Sequence, residues 1–136
     1  MARGHYNQSV TLGILALVVA LLTLGGPSTS TTRVVRLQGN RFTPAETRVR
    51  AGDTVRFVNG NGGPHNVQFE ADSIAPAATR IITAAMTGDK IGPMSSPLLL
   101  DPDEAYAIVV PALPAGRYPF FCLPHRDMRG GLIVEP

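Results

Sequence analysis

Three side chains able to bind a soft metal ion fall close together late in this sequence: Cys122, His125 and Met128, in the run Cys-Leu-Pro-His-Arg-Asp-Met. A thiolate, an imidazole and a thioether in one short loop make up most of a coordination shell. His65, delivered by the turn-forming run Gly60-Asn61-Gly62-Gly63-Pro64, adds a second imidazole. Two imidazoles and a thiolate in a trigonal plane, with a more distant thioether on the axis, suit copper in both of its common oxidation states. Sulfur favours Cu(I) and imidazole serves Cu(II). A geometry ideal for neither leaves little to move when one electron arrives or leaves. Zinc fits less well, because structural zinc takes four strong ligands and gains little from a thioether.

Each residue also has a plainer reading. A lone loop histidine is commonly no more than a hydrogen-bonded polar group, Cys122 by itself could be a small buried hydrophobe, and Met128 could fill a gap in the packing. Their combination points to the metal. Cys122 is the single cysteine, so it cannot form an internal disulfide, and an odd thiol in an exported protein is either reactive or held by a metal. It also precedes a Pro-His pair that a packed core strand has no need of. His5, the only other histidine, lies in the N-terminal segment, and Met86 and Met94 read as packing residues.

The elements that must hold these ligands are strands. From residue 33 onward the chain runs in short alternating stretches broken by turn signals, the pattern of half-buried antiparallel sheet. RVVRLQ (33–38), with Val34 and Leu37, is a first strand, and Gly39-Asn40 turns the chain. Thr47 and Val49 lead through the turn at Ala51-Gly52-Asp53 into TVRFVN (54–59), where Val55 and Phe57 share a face, so a hairpin is expected here. HNVQFE (65–70) is expected to be a strand beginning at His65, with Val67 and Phe69 on one side. Over 71–98 the alternation fails. Ile74, Ala78, Ile81, Ile82 and Ala85 suit a helical turn or two, and no element is assigned. AYAIVV (105–110), RYPFFC (117–122) and GLIVE (131–135) complete seven or eight strands. That number in about a hundred residues implies an all-β, two-sheet sandwich.

The sequence resembles the cupredoxins, the blue copper proteins, in their plastocyanin and amicyanin branch. The stretch FTPAETRVRAGDTVRFVN, the Pro64-His65-Asn66-Val67 segment, and Gly116-Arg117-Tyr118-Pro119-Phe120-Phe121-Cys122 leading into the ligand loop carry the likeness, which covers nearly all of 33–136. The resemblance implies a Greek-key β-sandwich with one type 1 copper ligated by His65, Cys122, His125 and Met128. It implies that Asn66 ties the two ligand loops together near the thiolate. His125 would be the solvent-facing ligand and the electron port, rimmed by Pro64, Leu123 and Pro124. Two residues between His125 and Met128 match the short, amicyanin-type loop; Arg126 and Asp127 depart from the apolar residues often found there.

An export segment is expected at the N-terminus. Residues 10–24 are apolar apart from Thr11, Gly13 and Thr23 and follow Arg3. This is signal-peptide length, whereas a spanning helix needs about twenty residues. The expected organisation is a signal peptide or membrane anchor over 1–25, with 10–24 as the tether if it is retained. A flexible leader over 26–32 and one domain over 33–136 follow, in a periplasmic or other extracytoplasmic location. The 14 glycines and 12 prolines agree with a turn-rich all-β chain. A net charge of only +2 leaves no nucleic-acid footprint. Arg33, Arg36, Arg41, Arg48, Arg50 and Arg56 crowd the first strands, and Glu70, Asp72, Asp89, Asp101, Asp103 and Glu104 the middle, a field able to orient docking. The functional expectation is a monomeric, non-enzymatic shuttle of single electrons between redox protein partners. The alternative is a periplasmic copper delivery or storage module, against which stands the lack of exposed Met or His clusters.

Overall fold

Alternation dictates the sheets. In the computed structural model, which describes Met1, Gly26, 29–61 and 63–136, eight strands form two four-stranded sheets packed face to face. The first sheet holds β1 (Thr32–Gln38), β2 (Arg41–Thr43), β4 (Thr54–Asn59) and β6 (Ala105–Val109), in the order β2-β1-β4-β6. The second holds β3 (Glu46–Val49), β5 (Gln68–Phe69), β7 (Gly116–Phe121) and β8 (Arg129–Val134), in the order β3-β8-β7-β5. Val35 and Leu37 of β1 and Val55 and Phe57 of β4 turn inward, while Arg36 and Arg56 face water. Five of the seven connections switch sheet, the Greek-key winding that brings β1 beside β4 and β3 beside β8 in parallel.

The core centres on Phe120. Its ring meets those of Phe42, Phe57 and Phe69 edge-on at 4.8, 5.5 and 5.7 Å, and each such pair contributes about 0.5 to 1.5 kcal/mol beyond simple burial. Phe42 and Phe57 come from the first sheet and Phe69 and Phe120 from the second, so this cluster clamps the layers together.

Two local expectations change, and the stretch left without an element gains one. The chain does turn at Gly52 (φ +90°), but β3 and β4 are not a hairpin: β3 pairs with β8 and β4 with β1 and β6. Val49 and Val55 reach the same core from opposite layers. The expected strand at 65–70 shrinks to the two residues of β5, and His65 lies before it in an isolated bridge to Leu99. Within 71–98 there is a short 3-10 turn (Ala71–Ser73) and one helix, α1 (Pro76–Ala85), with Pro76 in its first turn and Ala78 and Ile82 buried. Proline is tolerated there because the first helical N–H groups need no intrahelical partner.

β1 starts at Thr32, and Thr31 is tied to the fold: its N–H and hydroxyl both donate to Asp53, at 2.8 and 2.9 Å. The expected export segment lies outside the described residues. Among the described residues no helix is long and apolar enough to cross a membrane.

Candidate metal centre

The β7–β8 loop explains the three-residue spacing of its donors. The His125 N–H donates to the Cys122 carbonyl (3.2 Å), the Met128 N–H to the His125 carbonyl (2.7 Å), and the Cys122 N–H to the Met128 carbonyl (3.0 Å). Two successive turns therefore set Cys122, His125 and Met128 at their corners. Gly130 lets the loop re-enter the sheet: a Cβ there would stand 2.5 Å from Phe120 Cε2 and 2.8 Å from the Ala45 carbonyl. Cys122 and Met128 are fully buried, and His125 is half-buried.

Cys122 Sγ lies 3.5 Å from His125 Nδ1. Two donors about 2.3 and 2.0 Å from a shared ion, at a near-tetrahedral angle, stand about 3.5 Å apart, so this pair fits a metal as it is. Burial pushes the Cys122 thiol above its ordinary range; the N–H groups of Asn66 and His125 oppose that shift by stabilising the thiolate. The thiolate is the form that binds a metal.

The second ligand loop is joined to the first by Asn66, which is fully buried. Its Oδ1 accepts from the Leu123 N–H at 2.7 Å, and its Nδ2 donates to Ser95 Oγ at 3.1 Å. Asn66 therefore connects the segment that carries His65 to the β7–β8 loop.

His65 is fully buried, and its ring centroid is 4.9 Å from that of His125. Its backbone exchanges two hydrogen bonds with Leu99, at 3.1 and 2.8 Å. Its ring nitrogens, however, face oxygen: Nδ1 is 2.7 Å from Asn59 Oδ1, and Nε2 is 2.8 Å from the Gly39 carbonyl. Among the described residues no three His, Cys, Asp or Glu side chains converge as a ready metal group. His65 stands beside the Cys122 and His125 pair with its nitrogens turned to other partners.

Asn59, Gly39, Ser95 and Leu99 are the site residues that sequence reasoning missed. Asn59 gave one signal, an amide closing the apolar strand TVRFVN six residues before His65, but an asparagine there reads first as a turn residue. Several charges in this part of the molecule are engaged. Arg129 pairs with Glu70 and stacks over Phe121 at 5.6 Å, Arg36 lies 3.9 Å from Asp103, and Glu104 accepts the N–H groups of Leu100 and Asp101.

With this geometry in hand, comparison with known proteins is specific. The family of copper binding proteins described as plastocyanin/azurin matches residues 32–135. Amicyanin of Paracoccus versutus is 36% identical over 102 residues, which are 75% of this chain and 64% of that protein. The chloroplastic plastocyanin of Pisum sativum is 36% identical over 88 residues, 65% of this chain and 46% of that protein. The chain thus spans less than two thirds of either relative. The plastocyanin of Ginkgo biloba is 38% identical over 93 residues, 68% of this chain and 84% of that protein. Among solved structures, a mutant fern plastocyanin superposes with a TM-score of 0.59 at 26% identity, covering 76% of this chain and all of that one. An amicyanin mutant in its reduced state gives 0.53 at 26% identity, covering 76% and 82%. The chain belongs to the plastocyanin/azurin family of copper-binding proteins. Its cofactor is copper.

Proposed function

We propose that this chain is a one-electron carrier that holds a single copper through His65, Cys122, His125 and Met128. It exchanges electrons through the His125 edge with redox protein partners outside the cytoplasm. One observation carries the reading: Cys122 Sγ and His125 Nδ1 stand at ligand spacing, the sulfur sealed from water and the imidazole half-exposed. Bound copper supplies the Cu(I)/Cu(II) couple. The chain does the rest. The stacked turns of the β7–β8 loop and the Asn66 tie hold the donors in place, so little has to rearrange when the charge changes. Burial of Cys122 and Met128 excludes water from the sulfur side.

His125 emerges among exposed Pro64, Leu123 and Pro124. Leu100, next in the chain to the Leu99 that braces His65, is 64% exposed. A small apolar surface around the port suits brief encounters rather than a lasting complex. The domain acts as a monomer and turns over no substrate. Residues 1–25 export it or anchor it to a membrane, and 26–32 act as the leader.

The test is the visible spectrum of the protein with one equivalent of Cu(II), wild type beside Cys122→Ser. The expected result is an intense thiolate-to-copper band, present in the wild type and lost in the variant. A folded wild type without that band rules out the carrier and turns the reading to copper delivery or storage, or to a metal-free interaction module.

A further inference from the structure

Both nitrogens of the buried His65 ring face atoms that accept hydrogen bonds. Gly39 offers a carbonyl, presented by a residue at φ +58° in the β1–β2 turn. Asn59 offers Oδ1, and its identity is fixed because Nδ2 of the same amide donates to two carbonyls, Leu99 at 3.1 Å and Asp101 at 3.0 Å. Asn59 is itself 1% exposed and held by its backbone, which donates to Glu104 and accepts from Asp103. The two oxygens form a rigid cradle around the ring. A neutral imidazole carries one N–H, so one of the two contacts lacks a proton. In this orientation both nitrogens are taken up by the two oxygens, while the ring as a whole lies 4.9 Å from that of His125.

Ring geometry supplies a way out. A half-turn about the Cβ–Cγ bond exchanges Nδ1 with Cδ2 and Nε2 with Cε1. In the present pose Cε1 is the atom between the two nitrogens, and so faces the gap between the two oxygens. After the turn Nε2–H occupies that gap and donates to Asn59 Oδ1 or the Gly39 carbonyl. Nδ1 then leaves Asn59 and has its lone pair free. A metal-bound histidine ordinarily donates its other ring N–H to a fixed acceptor, and the turned ring meets that requirement.

We propose that Asn59 is a positioning residue for His65: by accepting from Nδ1–H it holds the metal-free ring in its present orientation, and the ring makes a half-turn when copper is taken up, which also relieves the contact between the bare Nε2 and the Gly39 carbonyl. This rests on His65 being a copper ligand. No backbone has to move, and the cradle serves both orientations.

The experiment is long-range 1H–15N correlation NMR of the His65 ring in 15N-labelled protein, metal-free and then loaded with Cu(I), which is diamagnetic. The metal-free ring is expected to carry its proton on Nδ1, and the loaded ring on Nε2 alone, with Nδ1 shifted by the metal. The His65 Hδ2 proton should gain a nuclear Overhauser contact to the Asn59 side chain on loading. A metal-free ring already protonated on Nε2 alone, with Nδ1 bare, would overturn the proposal even if copper then binds normally. A loaded protein with the blue band on oxidation but an unchanged His65 ring would instead remove His65 from the ligand set, so the two failures are distinguishable. In Asn59→Ala the metal-free ring should lose its preference for Nδ1–H, and copper uptake should be about fivefold faster, the equivalent of one ordinary hydrogen bond no longer broken beforehand. Uptake at the wild-type rate by a folded Asn59→Ala protein counts against the cradle. If that variant does not fold, the pair of wild-type spectra decides.

Discussion

Replacing Asn66 by alanine should separate the two ligand loops, and the cost follows from two hydrogen bonds. The Leu123 N–H would lose its acceptor at 2.7 Å. It would sit partly buried with no replacement, a loss of about 1 to 2 kcal/mol. The bond from Nδ2 to Ser95 Oγ, 3.1 Å, would go as well, for about 1 kcal/mol. Ser95 is not orphaned, because its hydroxyl still donates to the Ser96 carbonyl at 2.9 Å. Asn66→Ala should therefore destabilise the metal-free protein by about 2 to 3 kcal/mol. For a domain of this size that corresponds to a fall in Tm of about 10 to 20 °C. Urea unfolding at constant m is the assay. A double-mutant cycle with Ser95→Ala should give a coupling of about 1 kcal/mol, since the second change removes less once the first has been made. An Asn66→Ala protein within about 0.5 kcal/mol of wild type would mean that Asn66 does not tie the loops, whatever its distances.

Further outcomes test other parts of the molecule. Gly130→Ala places a methyl 2.5 Å from the Phe120 ring, and should cost about 1 to 3 kcal/mol by overpacking, read by thermal melting; an unchanged Tm would refute the close approach. Phe120→Ala should cost about 3 to 5 kcal/mol, and Phe121→Ala, which points outward and is half-exposed, clearly less. Equal losses would contradict the face assignment. Asp53 has a carboxyl below the ordinary aspartate value, chiefly because the Thr31 and Arg50 N–H groups donate to it. Its contribution to stability is complete above about pH 3.9 and falls away as the pH drops through the lower folded value. Asp53→Asn should flatten that acid limb in pH-dependent unfolding; an unaltered limb would exclude Asp53 as its source.

The strands that were legible in the sequence are those with one buried face. In β1 and β6 buried and exposed residues alternate, as do Val55 and Phe57 around Arg56 in β4, because period two is the imprint of a half-buried sheet; β7 and β8 bury three residues in a row and are marked instead by their apolar content. The turn at Gly52 was legible, but a turn signal does not say whether the chain returns to the same sheet or crosses to the other. α1 escaped assignment because it is ten residues long and its N-cap, Ala75, has no side chain able to cap it. The loop donors were legible because one short segment carries them in order. The partners of His65 were not, since Gly39 lies in the β1–β2 turn, Asn59 at the end of β4 and Leu99 in the segment before β6, and their convergence is a property of the winding.

That winding also sets an order of events. β8 is the last of the eight strands along the chain, yet it lies inside its sheet, between β3 and β7. Until it is in place, β3 has no neighbour and the cysteine loop has no far wall. The tie from Asn66 to Leu123 spans 57 residues and the ion pair from Glu46 to Arg117 spans 71. Contacts this remote must await loop closure and form slowly. On the proposed ligand set, a chain in which β8 has not yet docked has two separated half-sites, and the copper site waits on closure of the second sheet.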